Sequence, residues 1–167
     1  MSKRKVFVTV GTTSFDDLIV AILSPETLEA LASKGYNYLS LQIGKSFLKP
    51  DCTPRHGIDH IEYFHLSSSI ENHMQAADLV ISHAGAGSIL EALEARKGLI
   101  VVINHFLMGN HQLELARRLY KDKHLYCCTC DTLSSTIQTM ELLTLKPFIF
   151  NGNKNIVSYL NRVIGFE

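Results

Sequence analysis

The chain has 167 residues, 46% hydrophobic and 19% charged, which fits one folded domain (residues 1–167) with a packed core and excludes a disordered chain. Lys+Arg and Asp+Glu both number 16, so bulk charge argues for neither nucleic acid nor direct binding of anionic lipid. After Met1-Ser-Lys-Arg-Lys5 the apolar stretch before Gly11 is too short for a signal-peptide core. The longest apolar run, Leu99 to Ile103, cannot span a bilayer, so the expectation is a cytosolic chain held at any membrane by something else.

Lys5 to Val10 reads as a first strand ending at Gly11, and a short helical turn is expected around Asp16 to Leu23. Ser24-Pro25 opens a helix with a good cap and proline at its first position; Leu28, Leu31 and Ala32 share a face, and Gly35 stops it. Tyr36 to Ile43 and Asp59 to His65 read as the second and third strands. They are separated by a long loop, Gly44 to Gly57, with Pro50 and Pro54. Ser68-Ser-Ile-Glu71 has capping-box spacing and opens a helix to Ala77. Leu79 to Ser82 is a fourth strand, and Ser88 to Lys97 a helix closed by Gly98. Leu99 to Asn104 is a fifth strand, apolar on both faces. Asn110 to Lys121 is a helix with Leu113, Ala116 and Leu119 at three-residue spacing, and His124 to Cys128 a sixth strand. Two helices follow, near Leu133 to Leu143 and Asn155 to Ile164. The second carries an apolar stripe (Ile156, Tyr159, Leu160, Val163, Ile164) suited either to its own sheet or to a partner chain.

Strand–helix alternation of this kind implies an α/β fold, a Rossmann-like doubly wound parallel sheet. Its ligand sits beyond the carboxyl ends of the strands at a topological switch. The segment His83-Ala-Gly-Ala-Gly-Ser-Ile-Leu-Glu91 falls at such an end. Gly85 and Gly87 lack a Cβ, so a ligand can approach the backbone, and free N–H groups at the following helix start favour an anion. Glu91 is either the far half of a capping box with Ser88 or a bidentate acceptor for two ribose hydroxyls. Asn110-His111-Gln112 opens a second helix at the same end, as a cap or as donors to a sugar or phosphate. A dinucleotide fingerprint is poorly matched: its third glycine is Leu90, and the ribose acid expected after the next strand is replaced by Asn104-His105. Cys127-Cys-Thr-Cys130 lacks a second ligand pair, so these cysteines read as core residues and no metal is called for.

The His83–Glu91 segment, followed by Asn110-His-Gln-Leu-Glu-Leu-Ala116, resembles the carboxyl-terminal, donor-binding half of GT-B glycosyltransferases. Within these it is most similar to soluble catalytic subunits of eukaryotic UDP-N-acetylglucosamine transferases of dolichol-linked oligosaccharide synthesis. Val8 to Leu18 and Leu41 to Gly44 carry the same resemblance, and a bacterial lipid-linked transferase of peptidoglycan synthesis is a more distant relative. The resemblance implies transfer, with inversion, of N-acetylglucosamine from UDP to N-acetylglucosaminyl-diphospho-dolichol on the cytosolic face of the endoplasmic reticulum, with no bound cofactor. It assigns Gly11, Thr12 and Thr13 to the diphosphate, together with His83, Gly85, Ala86, Gly87 and Ser88. Glu91 goes to the ribose, the backbone near His65 and Leu66 to the uracil, and Asn110, His111 and Gln112 to the sugar and phosphate. A GT-B enzyme needs two such halves. A membrane-anchored partner chain is therefore expected to supply the acceptor site and the general base. A non-catalytic nucleotide-sugar-binding module is the alternative.

Overall fold

A computed structural model describes residues 2–104, the backbone of 110–112 and residues 113–149. The helix expected over 155–164 lies outside the described residues. Six strands form one sheet: β1 (Lys5–Thr9), β2 (Tyr38–Gln42), β3 (His60–Phe64), β4 (Leu79–His83), β5 (Gly98–Ile103) and β6 (Tyr126–Thr129). All pairings are parallel and the order is β3-β2-β1-β4-β5-β6, so the winding reverses between β1 and β4.

Side chains alternate across each strand, and each face meets its own helices. On one side Val6, Val8, Leu39 and Leu41 pack against α1 (Asp16–Ile22), α2 (Pro25–Ser33) and α6 (Leu133–Thr139), through Leu18, Ile22, Leu28, Leu31 and Ile137. On the other, Phe7, Val80, Leu99 and Val101 meet α3 (Ile70–Ala76), α4 (Ala86–Glu94) and α5 (Asn110–Lys121), through Met74, Ile89, Leu93, Leu115 and Leu119. β5 supplies Ile100 and Val102 to the first core and Leu99 and Val101 to the second, as its unbroken apolar run requires. The crossover from β2 to β3 has no helix. Residues 44–58 run as irregular chain and send Leu48, Cys52 and Ile58 into the first core.

Several boundaries differ from the sequence expectations. Ser24 caps α2 as expected, its side chain accepting from the Thr27 amide at 3.3 Å. α3 takes Ser69 rather than Ser68 as its cap residue and lacks a side-chain cap; the Ser69 hydroxyl instead bonds the Ser67 hydroxyl at 3.0 Å. α4 begins at Ala86, not Ser88, and ends at Glu94. Arg96, not Gly98, takes the left-handed position after it, at φ +58°. Gly98 opens β5, where a Cβ would lie 3.1 Å from the Leu142 methyl groups. α6 is shorter than expected because Met140 turns extended and enters the core, and a 3-10 turn, Leu142–Thr144, replaces its end. In α5 Leu115 takes the core position, and Leu113 is only half-buried.

Candidate functional site

β1 and β4 lie side by side at the reversal, and their carboxyl ends meet around one imidazole. A Cβ on Gly11 would stand 2.8 Å from His83 Nε2, and one on Gly85 would stand 2.4 Å from His83 Cε1. The His83 ring therefore fills the space that both glycines leave. At Gly85 the missing Cβ thus makes room first for the His83 ring. Gly87 is different, since a Cβ there would meet nothing within 4 Å. It is exposed and faces open space at the second position of α4.

Gly85 caps α4 with its carbonyl, which accepts the Ile89 amide at 3.0 Å. The amides of Ala86, Gly87 and Ser88 precede that bond, so they remain available to an anion at the positive end of the helix dipole. Ser88 lies inside the helix, with its Oγ 3.4 Å from His83 Nε2. It is thus not a cap residue, and the capping-box reading of Glu91 falls away. Burial holds the His83 imidazole below its usual 6.5, so it is neutral at pH 7 and the anion site relies on N–H dipoles. Below about pH 6.5 the unfolded chain takes up a proton that native His83 resists, so stability falls with acidification until the lower folded pKa is passed. His83→Asn is expected to flatten the slope of thermal stability between about pH 7 and 5.

The neighbouring loops are fixed to this turn. Gly11, at φ +67°, donates its amide to Thr9 Oγ1 at 2.9 Å, and the Thr9 hydroxyl donates to Gln42 Oε1. Thr9 pairs in register with Gln42 on one side and with Ser82 on the other, and all three are buried, which sets a polar row beneath the mouth. Thr12 and Thr13 are exposed, and the Thr13 carbonyl accepts the Lys45 amide at 2.8 Å. Gly44 donates to the His65 carbonyl at 3.0 Å, and His65 Nδ1 donates back to the Gly44 carbonyl at 3.0 Å. Leu66 follows, 57% exposed.

One turn along α4, the exposed Glu91 carboxylate makes no hydrogen bond or ion pair among the described residues. It lines a cleft of about 610 Å³ between α3 and α4, with Ser68, Ile70, Glu71, Met74, Gln75 and Glu94. Three carboxylates there accept hydroxyl or N–H donors and repel phosphate, whereas the helix start attracts phosphate. The arrangement suits a ligand with an anionic end and a hydroxyl-bearing end, as in a nucleoside diphosphate. Glu91→Gln is expected to weaken UDP binding by about 1–3 kcal/mol, the range for hydrogen bonds to a charged group, with little change in thermal stability. Titration calorimetry of the two proteins checks this.

Asn110, His111 and Gln112 open α5 at the end of the β5 connection, but their side chains lie outside the described residues. Sequence reasoning missed Thr9, Gln42 and the lining residues Ser68, Ile70 and Met74. A signal for the first two was present: Thr9-Val-Gly11 and Gln42-Ile-Gly44 each put a polar residue two before the turn glycine of an apolar strand. Cys128 is buried in the first core, whereas Cys52, Cys127 and Cys130 are half-buried against the two cores; burial raises Cys127 to about 11 and Cys128 to about 12, so both stay protonated thiols at neutral pH.

The six-stranded parallel sheet, wound both ways from its switch point, is a Rossmann-like α/β fold, and the solved structures it resembles are GT-B glycosyltransferases. The chain belongs to the glycosyltransferase family 28 C-terminal domain family, which matches residues 5–156. It is similar to the human UDP-N-acetylglucosamine transferase subunit ALG13, with 52% identity over 129 residues, 77% of this chain and 11% of that protein. The Candida glabrata subunit of the same name is 32% identical over 191 residues, covering 94% of this chain and 96% of the relative. The chain thus spans a small part of the human and mouse relatives (11% and 12%) and nearly all of the yeast one. An NMR solution structure of ALG13 superimposes with a TM-score of 0.73 at 26% identity, over 99% of this chain and 98% of that one. MurG of Acinetobacter baumannii shares the fold, with a TM-score of 0.67 at 16% identity, over 96% of this chain and 50% of MurG.

Proposed function

We propose that the chain is the donor-binding half of a UDP-N-acetylglucosamine transferase. The observation that carries this reading is the pairing of a free α4 N-terminus at the switch point with the Glu91 cleft one turn away. In this reading Gly11 to Thr13 and His83 to Ser88 hold the diphosphate, Glu91 the ribose, the His65–Leu66 backbone the uracil, and Asn110 to Gln112 the sugar and phosphate. The acceptor is N-acetylglucosaminyl-diphospho-dolichol, at the cytosolic face of the endoplasmic reticulum. Its hydroxyl loses a proton to a base on the partner chain and attacks the anomeric carbon opposite the leaving UDP, which inverts the configuration. The α4 amides stabilise the charge that builds on the diphosphate.

A membrane-anchored partner is part of the proposal. Two facts support it: the relatives are named as subunits, and MurG, whose fold this chain shares, is about twice as long. Among the described residues no helix is long and apolar enough to cross a membrane. The test has two stages. Calorimetry is expected to detect UDP and UDP-N-acetylglucosamine but not NAD. Mixing with the membrane partner, the donor and a lipid diphosphate acceptor is expected to give transfer that neither chain gives alone. Absence of UDP binding defeats the donor reading, and binding without transfer in the mixture leaves a nucleotide-sugar-binding module.

A further inference from the structure

The helix-less crossover after β2 begins Lys45-Ser-Phe-Leu-Lys49, and its side chains alternate. Ser46 is buried and Leu48 packs against the first core, while Lys45, Phe47 and Lys49 point outward. Phe47 is 98% exposed, whereas Phe7, Phe15 and Phe148 are buried and Phe64 is half-buried. The projection is held in place. Lys45 donates its amide to the Thr13 carbonyl at 2.8 Å, and the Ser46 amide reaches the Ile43 carbonyl at 3.1 Å. Ser46 Oγ donates to Asp16 Oδ1 at 2.6 Å and accepts the Leu48 amide at 3.1 Å. The neighbouring acids are engaged: Asp16 by Ser46, and Asp51 by Thr53 and Arg55. Neither Lys45 nor Lys49 has an ion pair among the described residues.

We infer that Lys45, Phe47 and Lys49 form a peripheral contact with an anionic bilayer surface, Phe47 entering the interface and the two ammonium groups resting among lipid phosphates. Aromatic rings and lysines with apolar stems are the side chains that settle at a membrane–water boundary. Lysine is depleted at protein–protein interfaces, which favours lipid over a protein as the occupant. The strip also lies at the carboxyl ends of the strands, the same end as the donor mouth. One phenylalanine and two lysines make a weak contact, suited to orienting a chain that something else anchors. This refines the expectation from overall charge: a net balance of zero conceals a local pair of lysines with no ion pair among the described residues.

The test uses the chain alone with phosphatidylcholine vesicles, with and without phosphatidylserine. Wild type is expected to partition onto the mixed vesicles and much less onto pure phosphatidylcholine. Phe47→Ala is expected to lower the partition coefficient about tenfold, the worth of an aromatic side chain leaving an apolar phase. Lys45→Glu with Lys49→Glu is expected to lower it at least thirtyfold, at roughly one charge's worth per lysine near an anionic surface, with the loss disappearing in high salt. UDP binding and thermal unfolding of these exposed-site variants serve as controls for folding and are expected to be unchanged. Failure of wild type to partition, or equal partitioning of wild type and variants, overturns the inference. So does a variant that keeps vesicle binding yet loses transfer with the partner in detergent, because the strip then contacts protein. None of these outcomes bears on the donor reading, which UDP binding tests separately.

Discussion

Gly87→Val is expected to leave a folded, stable protein that has lost most of its UDP affinity, by about tenfold to a hundredfold. The position is exposed, lies inside α4 and has open space where a Cβ would go. Valine forms helix better than glycine, so the free protein is not destabilised. Its branched side chain would occupy the approach to the Gly87 and Ser88 amides, and forcing a ligand past it costs about 1–3 kcal/mol, the range for overpacking. Calorimetry with UDP, alongside thermal unfolding, checks both halves. Unchanged UDP binding in the folded variant means that the diphosphate does not lie at this helix start. Gly85 is not an equivalent test. A side chain there collides first with His83, so lost binding could arise from a displaced imidazole.

The largest loss of stability is expected from Gly44→Ala. Gly44 sits at φ +59°, and a Cβ there would lie 1.9 Å from the Thr13 carbonyl oxygen, a backbone atom. The left-handed conformation alone costs an alanine about 1–2 kcal/mol. Relief of the clash must push the Gly11–Thr13 turn away, and with it the bond from the Lys45 amide to Thr13, worth about 1 kcal/mol more. A total of about 2–3 kcal/mol is expected by denaturant unfolding, with weaker UDP binding in whatever folds. A fully stable Gly44→Ala protein would mean that the two loops are not packed as described.

These two glycines also mark what the sequence makes legible. Strand ends were readable because an apolar run stops at Gly11, at Gly44 and at His83, and the parallel sheet followed from the alternation of elements. Sequence alone did not distinguish the jobs of the glycines. Gly11 and Gly85 both accommodate the His83 ring, Gly44 another loop's backbone, and Gly87 open space. Each depends on what lies opposite in three dimensions. Ser88 and Glu91 showed capping-box spacing, but Gly85, extended at φ −72° and ψ 129°, starts the helix two residues earlier. Gly98 read as a helix stop because a packing requirement, the closeness of Leu142, leaves the same letter in the sequence. The Glu91 cleft was half-visible: the carboxylate stood out, whereas Ser68, Ile70 and Met74 come from the facing helix and its approach, and nothing in their spacing points at α4.

The reversal of winding also has a consequence for how the chain assembles. β1 pairs with β4, and the Lys5 amide donates to the Asp78 carboxylate across 73 residues. During synthesis β1 and β2 can meet early, but one edge of β1 stays unpaired until β4 has left the ribosome. Since the His83 turn belongs to that late strand, the proposed donor site cannot form before then, and a nascent chain halted short of it presents a bare parallel edge. Long-range parallel pairing of this kind closes a large loop before it gains any contact, so it is slow and open to aggregation. The central seam of the sheet, which carries the His83 turn in the finished protein, is thus the point at which its folding is committed.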